Sequence, residues 1–185
     1  MDLVIVDDHP AVRAGLRGLL EDEPDLRVAA TAATAREGFE AIADVRPNLA
    51  LIDLHLPDDD GLSLCLRTRA LEAPPRALIY SAFADAGLAV RAAIAGADGV
   101  LAKSAAPRTL LAALHGGPPR PLDPHALRAA GARLDPDDLP ILGMLSHGVA
   151  PGEVATTLSI DPEWLVARRA AMLLRLSGRR PVAAA

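Results

Sequence analysis

The feature that most constrains the fold of this chain is a regular alternation between short apolar runs and longer helical stretches. Five runs of four or five residues are too short for helices and have the length of buried strands. They occupy positions 3–6, 26–30, 49–52, 77–80 and 99–102. Because each run is apolar almost throughout, we expect each strand to be buried on both faces, as in a parallel sheet.

Helical periodicity follows each run, over 11–20, 34–45, 61–71, 85–95 and 107–114. The second of these stretches opens with Thr34 and Glu37, which form a capping-box pattern, and it stops before Pro47. Strand–helix alternation repeated five times predicts an α/β fold in which helices cover both faces of a five-stranded parallel sheet.

The pattern changes at 115–121, where two glycines and three prolines predict a linker. Beyond it the apolar spacing predicts helices only, over 124–130, 136–147, 151–158 and 162–176. We therefore divide the chain into a first domain over 1–116, a linker with a short helix over 117–133, and a small all-α domain over 134–180.

Composition excludes several classes of protein. Aromatic residues make up 2% of the chain, which argues against a nucleic-acid binder that stacks bases on aromatic side chains. The single cysteine, Cys65, excludes a disulfide framework and a thiolate zinc site, and none of the five histidines is paired with another at metal-ligand spacing. No apolar run approaches the roughly 18 residues of a membrane helix, so we expect a cytoplasmic protein with no membrane partner.

Charge is distributed unevenly. The formal net charge is −5, yet residues 163–185 carry five arginines against one glutamate. An acidic first part and a basic C-terminal end predict two separate tasks.

Ionisable and hydroxyl side chains follow four of the five predicted strands. Asp7 and Asp8 follow the first, Asp53 the third, Ser81 the fourth and Lys103 the fifth. Taken singly, Asp7 or Asp8 fits a helix cap equally well, but the carboxyl ends of parallel strands meet at one edge of a sheet. Three carboxylates, a lysine and a hydroxyl at one edge are suited to Mg²⁺ and to phosphoryl transfer.

Four segments resemble the receiver domain of two-component response regulators: VIVDDHP at 4–10, LIDLHLP at 51–57 with Asp60-Gly61, Ser81-Ala82, and AGADGVLAKS at 95–104. The resemblance covers residues 1–115. It implies a flavodoxin-like, doubly wound receiver with strand order 2-1-3-4-5. It also implies a phosphoprotein of a phosphorelay rather than an enzyme, although the acceptor takes part in its own phosphoryl transfer.

The resemblance implies a role for each strand-end residue. Asp53 is the phosphorylation site and receives its phosphoryl group from a sensor histidine kinase. Mg²⁺ is held by Asp7, Asp8, Asp53 and the backbone carbonyl of His55. The residues that sense the phosphoryl group are Ser81, Ala82, Val100 and Lys103. Val100 stands where receivers usually have Tyr or Phe, so the usual aromatic readout of phosphorylation is missing.

An enzyme is the minor alternative. Phosphatases of the haloacid dehalogenase type also use an aspartate after a strand together with Mg²⁺. They need a second carboxylate two residues later as general acid, and this chain has His55 at that position.

The C-terminal segments at 134–138, 141–148, 153–160 and 165–176 resemble a LuxR-type (NarL/FixJ-like) helix-turn-helix domain. That family inserts the helix matching 162–176 into the DNA major groove. Here the candidate DNA contacts are Arg168, Arg169 and Arg175, while Trp164 is expected in the core or as the anchor of a turn. The domain is divergent, because Val166 and Ala167 occupy groove-facing positions and the last helix of the family is absent.

Pro140 falls inside the predicted helix over 136–147, which must therefore kink unless it starts later. The leading interpretation is a response regulator that controls transcription by binding DNA, as a homodimer formed through the receiver on phosphorylation. The alternative is an atypical receiver whose degenerate helix-turn-helix domain acts through protein–protein contacts.

Overall fold

The computed structural model describes residues 1–117 and 121–177. Their contacts separate two compact units, which are described in turn. The first contains 1–84 and the chain from 97 to the start of the linker, and the second contains 85–96 and the helices after the linker.

The first unit contains a five-stranded parallel sheet. Its strands are β1 (Asp2–Val6), β2 (Arg27–Ala32), β3 (Leu49–Asp53), β4 (Arg76–Ser81) and β5 (Gly99–Ala102). The order β2-β1-β3-β4-β5 confirms the strand order and the parallel sheet expected for a receiver. Every residue of β3 is buried, in keeping with a strand covered on both faces.

Four helices of the first unit surround this sheet: α1 (Pro10–Leu20), α2 (Ala35–Val45), α3 (Gly61–Thr68) and α5 (Pro107–Leu114). Half of the capping box predicted for α2 is present, because Thr34 Oγ1 accepts a hydrogen bond from Glu37 N–H at 3.1 Å. Glu37 Oε2 accepts its hydrogen bond from Ala33 N–H at 3.0 Å, one residue before the N-cap, rather than from Thr34 N–H. Helix α3 ends three residues earlier than predicted, where Ala70 N–H bonds to Arg67 O and closes a turn.

The start of α3 lies against the end of β3. A Cβ atom added to Gly61 would lie 2.0 Å from the backbone oxygen of Asp53, so any larger residue would push the helix away from the strand. Gly61 N–H also donates to Leu54 O at 2.8 Å. The loop from 54 to 60 is thereby held at both of its ends, directly after Asp53.

The second unit consists of helices in its described residues. They are α4 (Ala86–Ala95), α6 (Pro124–Gly131), a 3₁₀ turn (Pro136–Asp138), α7 (Leu139–Ser146), α8 (Pro151–Leu158) and α9 (Pro162–Ser177). Asp161 caps α9, since its Oδ1 accepts a hydrogen bond from Trp164 N–H at 2.9 Å. No helix of the described chain is long and apolar enough to cross a membrane.

The single helix predicted over 136–147 is wrong. A 3₁₀ turn precedes α7, which begins at Leu139 and therefore places Pro140 in its first turn. The missing N–H of proline costs nothing there, because the first N–H groups of a helix have no intrahelical acceptor. The later start removes the need for a kink.

The two compact units do not coincide with the domains predicted from the sequence. Helix α4, which lies between β4 and β5 in the chain, groups with the C-terminal helices. Within that second unit, Arg169 of α9 donates a hydrogen bond from Nε to Ile94 O of α4 at 2.7 Å. The predicted boundaries at 116 and 133 stay a prediction, and the linker residues 118–120 and the end of the second domain at 178–180 lie outside the described residues.

Candidate phosphoacceptor site

The carboxyl-terminal edge of the sheet brings together the residues predicted from strands 1, 3 and 5. Asp7 directly follows β1, Asp53 is the last residue of β3, and Lys103 directly follows β5. The parallel register pairs Val6 with Ile52 and Asp53 with Tyr80, so the strands end at the same level. We call Asp7, Asp8, Asp53 and Lys103 the strand-end cluster.

Lys103 is at the centre of this cluster. Its Nζ lies 2.7 Å from Asp53 Oδ2, to which it donates a hydrogen bond, and 2.7 Å from Asp7 Oδ2. Both carboxylates are buried, and the side chain of Asp7 is 1% exposed. Burial alone would lower the pKa of Lys103, but the contacts and charges of Asp53 and Asp7 outweigh it and raise that pKa. The lysine is therefore a fixed cation in the cluster.

One lysine does not balance three carboxylates. With all four groups ionised, the strand-end cluster has a formal charge of −2 in a mostly buried position. Ligand atoms of Asp7, Asp8, His9 and Asp53 all lie within 4.8 Å of one another. Oxygen donors at this spacing, with negative charge in excess, fit a divalent cation such as Mg²⁺.

His9 lies beside the strand-end cluster, a position that was not predicted from the sequence. Its Nδ1 lies 2.5 Å from Asp8 Oδ1 and 3.4 Å from Asp7 Oδ1. The spacing between histidines does not reveal this contact; the position of His9 directly after two aspartates at a strand end does.

The loop after Asp53 carries His55 and a second missed residue, Asp58. His55 lies on the exposed part of the loop, and its N–H contacts Asp53 Oδ1 at 3.4 Å. The two carboxylate oxygens of Asp58 accept hydrogen bonds from Ala35 N–H at 2.7 Å and Arg36 N–H at 3.0 Å. Desolvation opposes ionisation of the exposed Asp58, but these backbone bonds prevail and lower its pKa. Asp58 thereby ties the loop to the N-terminus of α2.

The predicted sensing residues lie around the same edge. Ser81 is fully buried at the end of β4, and its hydroxyl exchanges hydrogen bonds with the backbone N–H and C=O of Phe83 at 3.2 and 3.3 Å. Ala82 is exposed beside it, and Val100 is a half-buried residue of β5. The aromatic ring near Lys103 belongs to Tyr80 of β4, whose centroid is 5.8 Å from Nζ.

The family model described as "Response regulator receiver domain" matches residues 3–115. This chain belongs to the response regulator family. Three curated relatives support the assignment. The nitrate/nitrite response regulator NarL of Escherichia coli K12 is 34% identical over 61% of this chain, and the match spans 52% of NarL, about half its length.

Two relatives match along most of both chains. The transcriptional regulatory protein UhpA of Salmonella typhimurium is 31% identical over 94% of this chain and 90% of its own. The DNA-binding transcriptional activator DevR/DosR of Mycobacterium tuberculosis is 29% identical over 98% and 90%. Among solved structures, a LuxR-family response regulator from Aurantimonas is 31% identical with a TM-score of 0.61, over 72% of this chain and 98% of that one.

The C-terminal helices of this response regulator hold two of its predicted DNA contacts in ion pairs. Arg168 contacts Asp138 through Nε and Asp135 through Nη2 at 3.0 Å. Arg175 contacts the same two carboxylates at 3.0 and 2.8 Å. We call these four residues the arginine clamp. Asp138 is 0% exposed, and its hydrogen bond to Arg168 is the main reason that the pKa of Arg168 is raised.

The burial of the other two residues singled out on α9 is the reverse of what the sequence predicts: the arginine is buried and the tryptophan is exposed. Arg169 is 1% exposed, with Nε bonded to Ile94 O. Trp164 is 46% exposed, so its expected place in the core is wrong; the Arg168 guanidinium lies 5.8 Å from its ring centroid. Position along an amphipathic helix decides both outcomes, because Leu165, Arg169, Met172 and Leu176 share the buried face.

Proposed function

We propose that this response regulator accepts a phosphoryl group on Asp53 from the phosphohistidine of a sensor histidine kinase. The observation that carries the proposal is the contact of Lys103 with both Asp53 and Asp7 at 2.7 Å, in a cluster that retains excess negative charge. A carboxylate oxygen of Asp53 bonds to phosphorus, the phosphorus–nitrogen bond breaks, and the kinase imidazole leaves as the neutral base after taking up a proton.

A carboxylate and a phosphoryl group repel each other, so the site must supply positive charge. Asp7, Asp8, Asp53 and the backbone carbonyl of His55 would hold Mg²⁺, which supplies part of that charge when bound. Lys103 supplies the rest, because its ammonium group already contacts the acceptor carboxylate. Once Asp53 carries the phosphoryl group as an acyl phosphate, Lys103 is placed to pair with the phosphoryl oxygens.

Ser81 has a second role in this proposal. Its hydroxyl is bonded to Phe83 in the present structure, so it must leave Phe83 to bind a phosphoryl oxygen. Val100 has no ring to follow that movement, which leaves the β4–α4 loop itself as the part that changes.

The phosphorylation experiment uses acetyl phosphate and Mg²⁺ with the full chain, followed by intact-mass measurement. We expect one added phosphoryl group in the wild type. We expect no addition when EDTA removes the Mg²⁺ beforehand, and none in Asp53→Asn. Asp44→Asn, an exposed acid on α2, is the matched control and should be labelled like the wild type. Label in Asp53→Asn at the wild-type level would refute the assignment of the acceptor.

We further propose that the C-terminal helices bind DNA and that phosphorylation promotes this through a homodimer of receivers. The names of UhpA and DevR/DosR, which match along most of both chains, support transcriptional output. Arg168 and Arg175 are the candidate phosphate contacts, but they share their charge with Asp135 and Asp138. Among the described residues, few cations of these helices are then free to contact DNA phosphates, so affinity should be low and its dependence on salt shallow.

The arginine clamp itself offers the DNA test. Asp135 is half-buried and neutralises both arginines, so Asp135→Asn should free positive charge and raise affinity for a site selected from genomic DNA, measured by gel shift at low salt. The adjacent, exposed Asp137, changed to Asn, makes the same change in net charge without touching the clamp. Equal effects of the two variants, or no binding by phosphorylated wild type, would contradict the proposed contacts.

A further inference from the structure

We propose that His9 is a nitrogen ligand of the divalent-cation site and that it makes the site prefer a late first-row transition-metal ion, such as Ni²⁺, over Mg²⁺. The inference deepens the proposed function and rests on it, since the same carboxylates hold the cation. The juxtaposition that carries it is the approach of His9 Nδ1 to the carboxylates of both Asp8 and Asp7.

The backbone of His9 is fixed on both sides. Its N–H donates to Asp7 Oδ1 at 2.9 Å, and its carbonyl accepts from Val12 N–H and Arg13 N–H at 3.1 and 3.2 Å. Arg13 also donates to the backbone oxygen of Asp7. The imidazole is therefore carried by a rigid turn between β1 and α1.

The ring is directed at the carboxylates rather than at the helix. His9 is the N-cap residue of α1, yet its side chain makes no capping hydrogen bond. It contacts Asp8 Oδ1 at 2.5 Å and Asp7 Oδ1 at 3.4 Å instead. Neighbouring ligand atoms of an octahedral ion with bonds of about 2.1 Å are about 3 Å apart, and the two distances bracket that spacing.

The donor set decides the kind of ion. Mg²⁺ prefers oxygen ligands and water, whereas imidazole nitrogen suits Fe²⁺, Ni²⁺, Cu²⁺ and Zn²⁺. Three carboxylates alone would favour Mg²⁺ or Mn²⁺ with little discrimination. One imidazole added to them shifts the balance toward the transition metals, most strongly toward those late in the series.

A second group of candidate ligands has to be removed before this is tested. Glu23, Asp25 and His115 also bring ligand atoms within 4.8 Å of one another. All measurements therefore use the His115→Ala background. In that background, calorimetric titration with Mg²⁺, Mn²⁺ and Ni²⁺ is compared between His9 and His9→Ala proteins, with His147→Ala as a matched loss of one exposed histidine.

We expect His9→Ala to weaken Mn²⁺ and Ni²⁺ binding, the latter by about tenfold or more, while Mg²⁺ binding changes by less than about twofold. Pulsed EPR of the Mn²⁺-loaded protein should show coupling to an imidazole ¹⁴N nucleus. That coupling should persist in His147→Ala and disappear in His9→Ala. The EPR spectrum of the His115→Ala protein that retains His9 tests the ligand even if His9→Ala folds poorly.

Two results overturn the inference while leaving the acceptor site intact. One is an equal change in affinity for Mg²⁺, Mn²⁺ and Ni²⁺ in His9→Ala, which would mean that His9 acts through its charge and not as a ligand. The other is Mg²⁺ and Mn²⁺ binding without nitrogen coupling. By contrast, if neither the protein with His9 nor its Asp53→Asn variant bound any of the three metals, the proposed acceptor site would be refuted as well.

Discussion

The strand-end cluster and the arginine clamp are built from the same chemistry but differ in their charge balance. In the first, one lysine faces three aspartates. In the second, two arginines face two aspartates, and each arginine contacts both acids. The charges of the clamp are balanced, whereas the carboxylates of the strand-end cluster outnumber its lysine, and a cation from solution would balance them. The difference separates a group of charges that holds helices together from one that recruits a ligand.

The largest expected effect comes from unbalancing the clamp. Asp138→Asn leaves two guanidinium groups beside a neutral, fully buried residue. Because both arginines keep partial contact with solvent, we expect a loss near the low end for broken buried pairs, about 3 kcal/mol of unfolding free energy. Urea denaturation followed by fluorescence of Trp164, the single tryptophan, reports on this unit.

Asp137→Asn is the control for that experiment, since Asp137 is exposed and adjacent. It should stay within about 0.5 kcal/mol of the wild type. If both variants lose the same stability, the clamp does not hold these helices together and does not differ from the strand-end cluster in the way proposed.

An intermediate effect comes from relieving the strand-end cluster. Asp8→Asn removes one of three mutually repelling carboxylates, so without Mg²⁺ we expect a gain of about 0.5–1 kcal/mol in unfolding free energy. With Mg²⁺ at about 100 times its dissociation constant, the wild type should gain about 2.7 kcal/mol and the variant far less.

Thermal unfolding with and without Mg²⁺ measures both quantities. The order of the two proteins should invert when the ion is added. Equal Mg²⁺ stabilisation of wild type and Asp8→Asn would show that this carboxylate is no ligand.

The smallest effect concerns Asp58, which lies at an exposed position and acts through two backbone hydrogen bonds. Asp58→Ala should cost about 0.5–1 kcal/mol, discounted for exposure, and should slow phosphorylation because the loop after Asp53 loses its tie to α2. Because the pKa of Asp58 is lowered in the folded state, its stabilisation exists above the unfolded pKa and is lost as pH falls through the folded pKa.

Chemical denaturation at neutral and acid pH tests both halves of that statement. The difference between wild type and Asp58→Ala should shrink in acid. Asp44→Ala, which removes an exposed acid of α2, should show neither the stability loss nor the slower phosphorylation.

The sheet and the strand-end cluster were predictable because both depend on short-range patterns. Apolar runs placed the strands within about two residues, and parallel topology then brings Asp7, Asp53 and Lys103 to one edge. Family resemblance supplied the strand order, which composition and periodicity leave open.

The clamp and His9 were not predictable, because both depend on side-chain directions that sequence spacing does not give. Arg168 and Asp135 are 33 residues apart, and nothing in the linear pattern pairs them. The turn at Asp7–His9 sets where the imidazole points. Trp164 was misplaced for a related reason: hydrophobicity predicted burial, but the buried face of α9 passes through its neighbour Leu165.

The hydrogen bond from Arg169 to Ile94 has a consequence for the order in which this chain is made. The two residues are 75 positions apart. At ~5–20 residues per second, a ribosome adds Arg169 roughly 4–15 s after Ile94. For that interval the last turn of α4 lacks this donor for its carbonyl, so the helix reaches its final packing only after Arg169 has been added. Nascent chains arrested before Arg169 should therefore be cut by protease within α4 more readily than chains arrested after it.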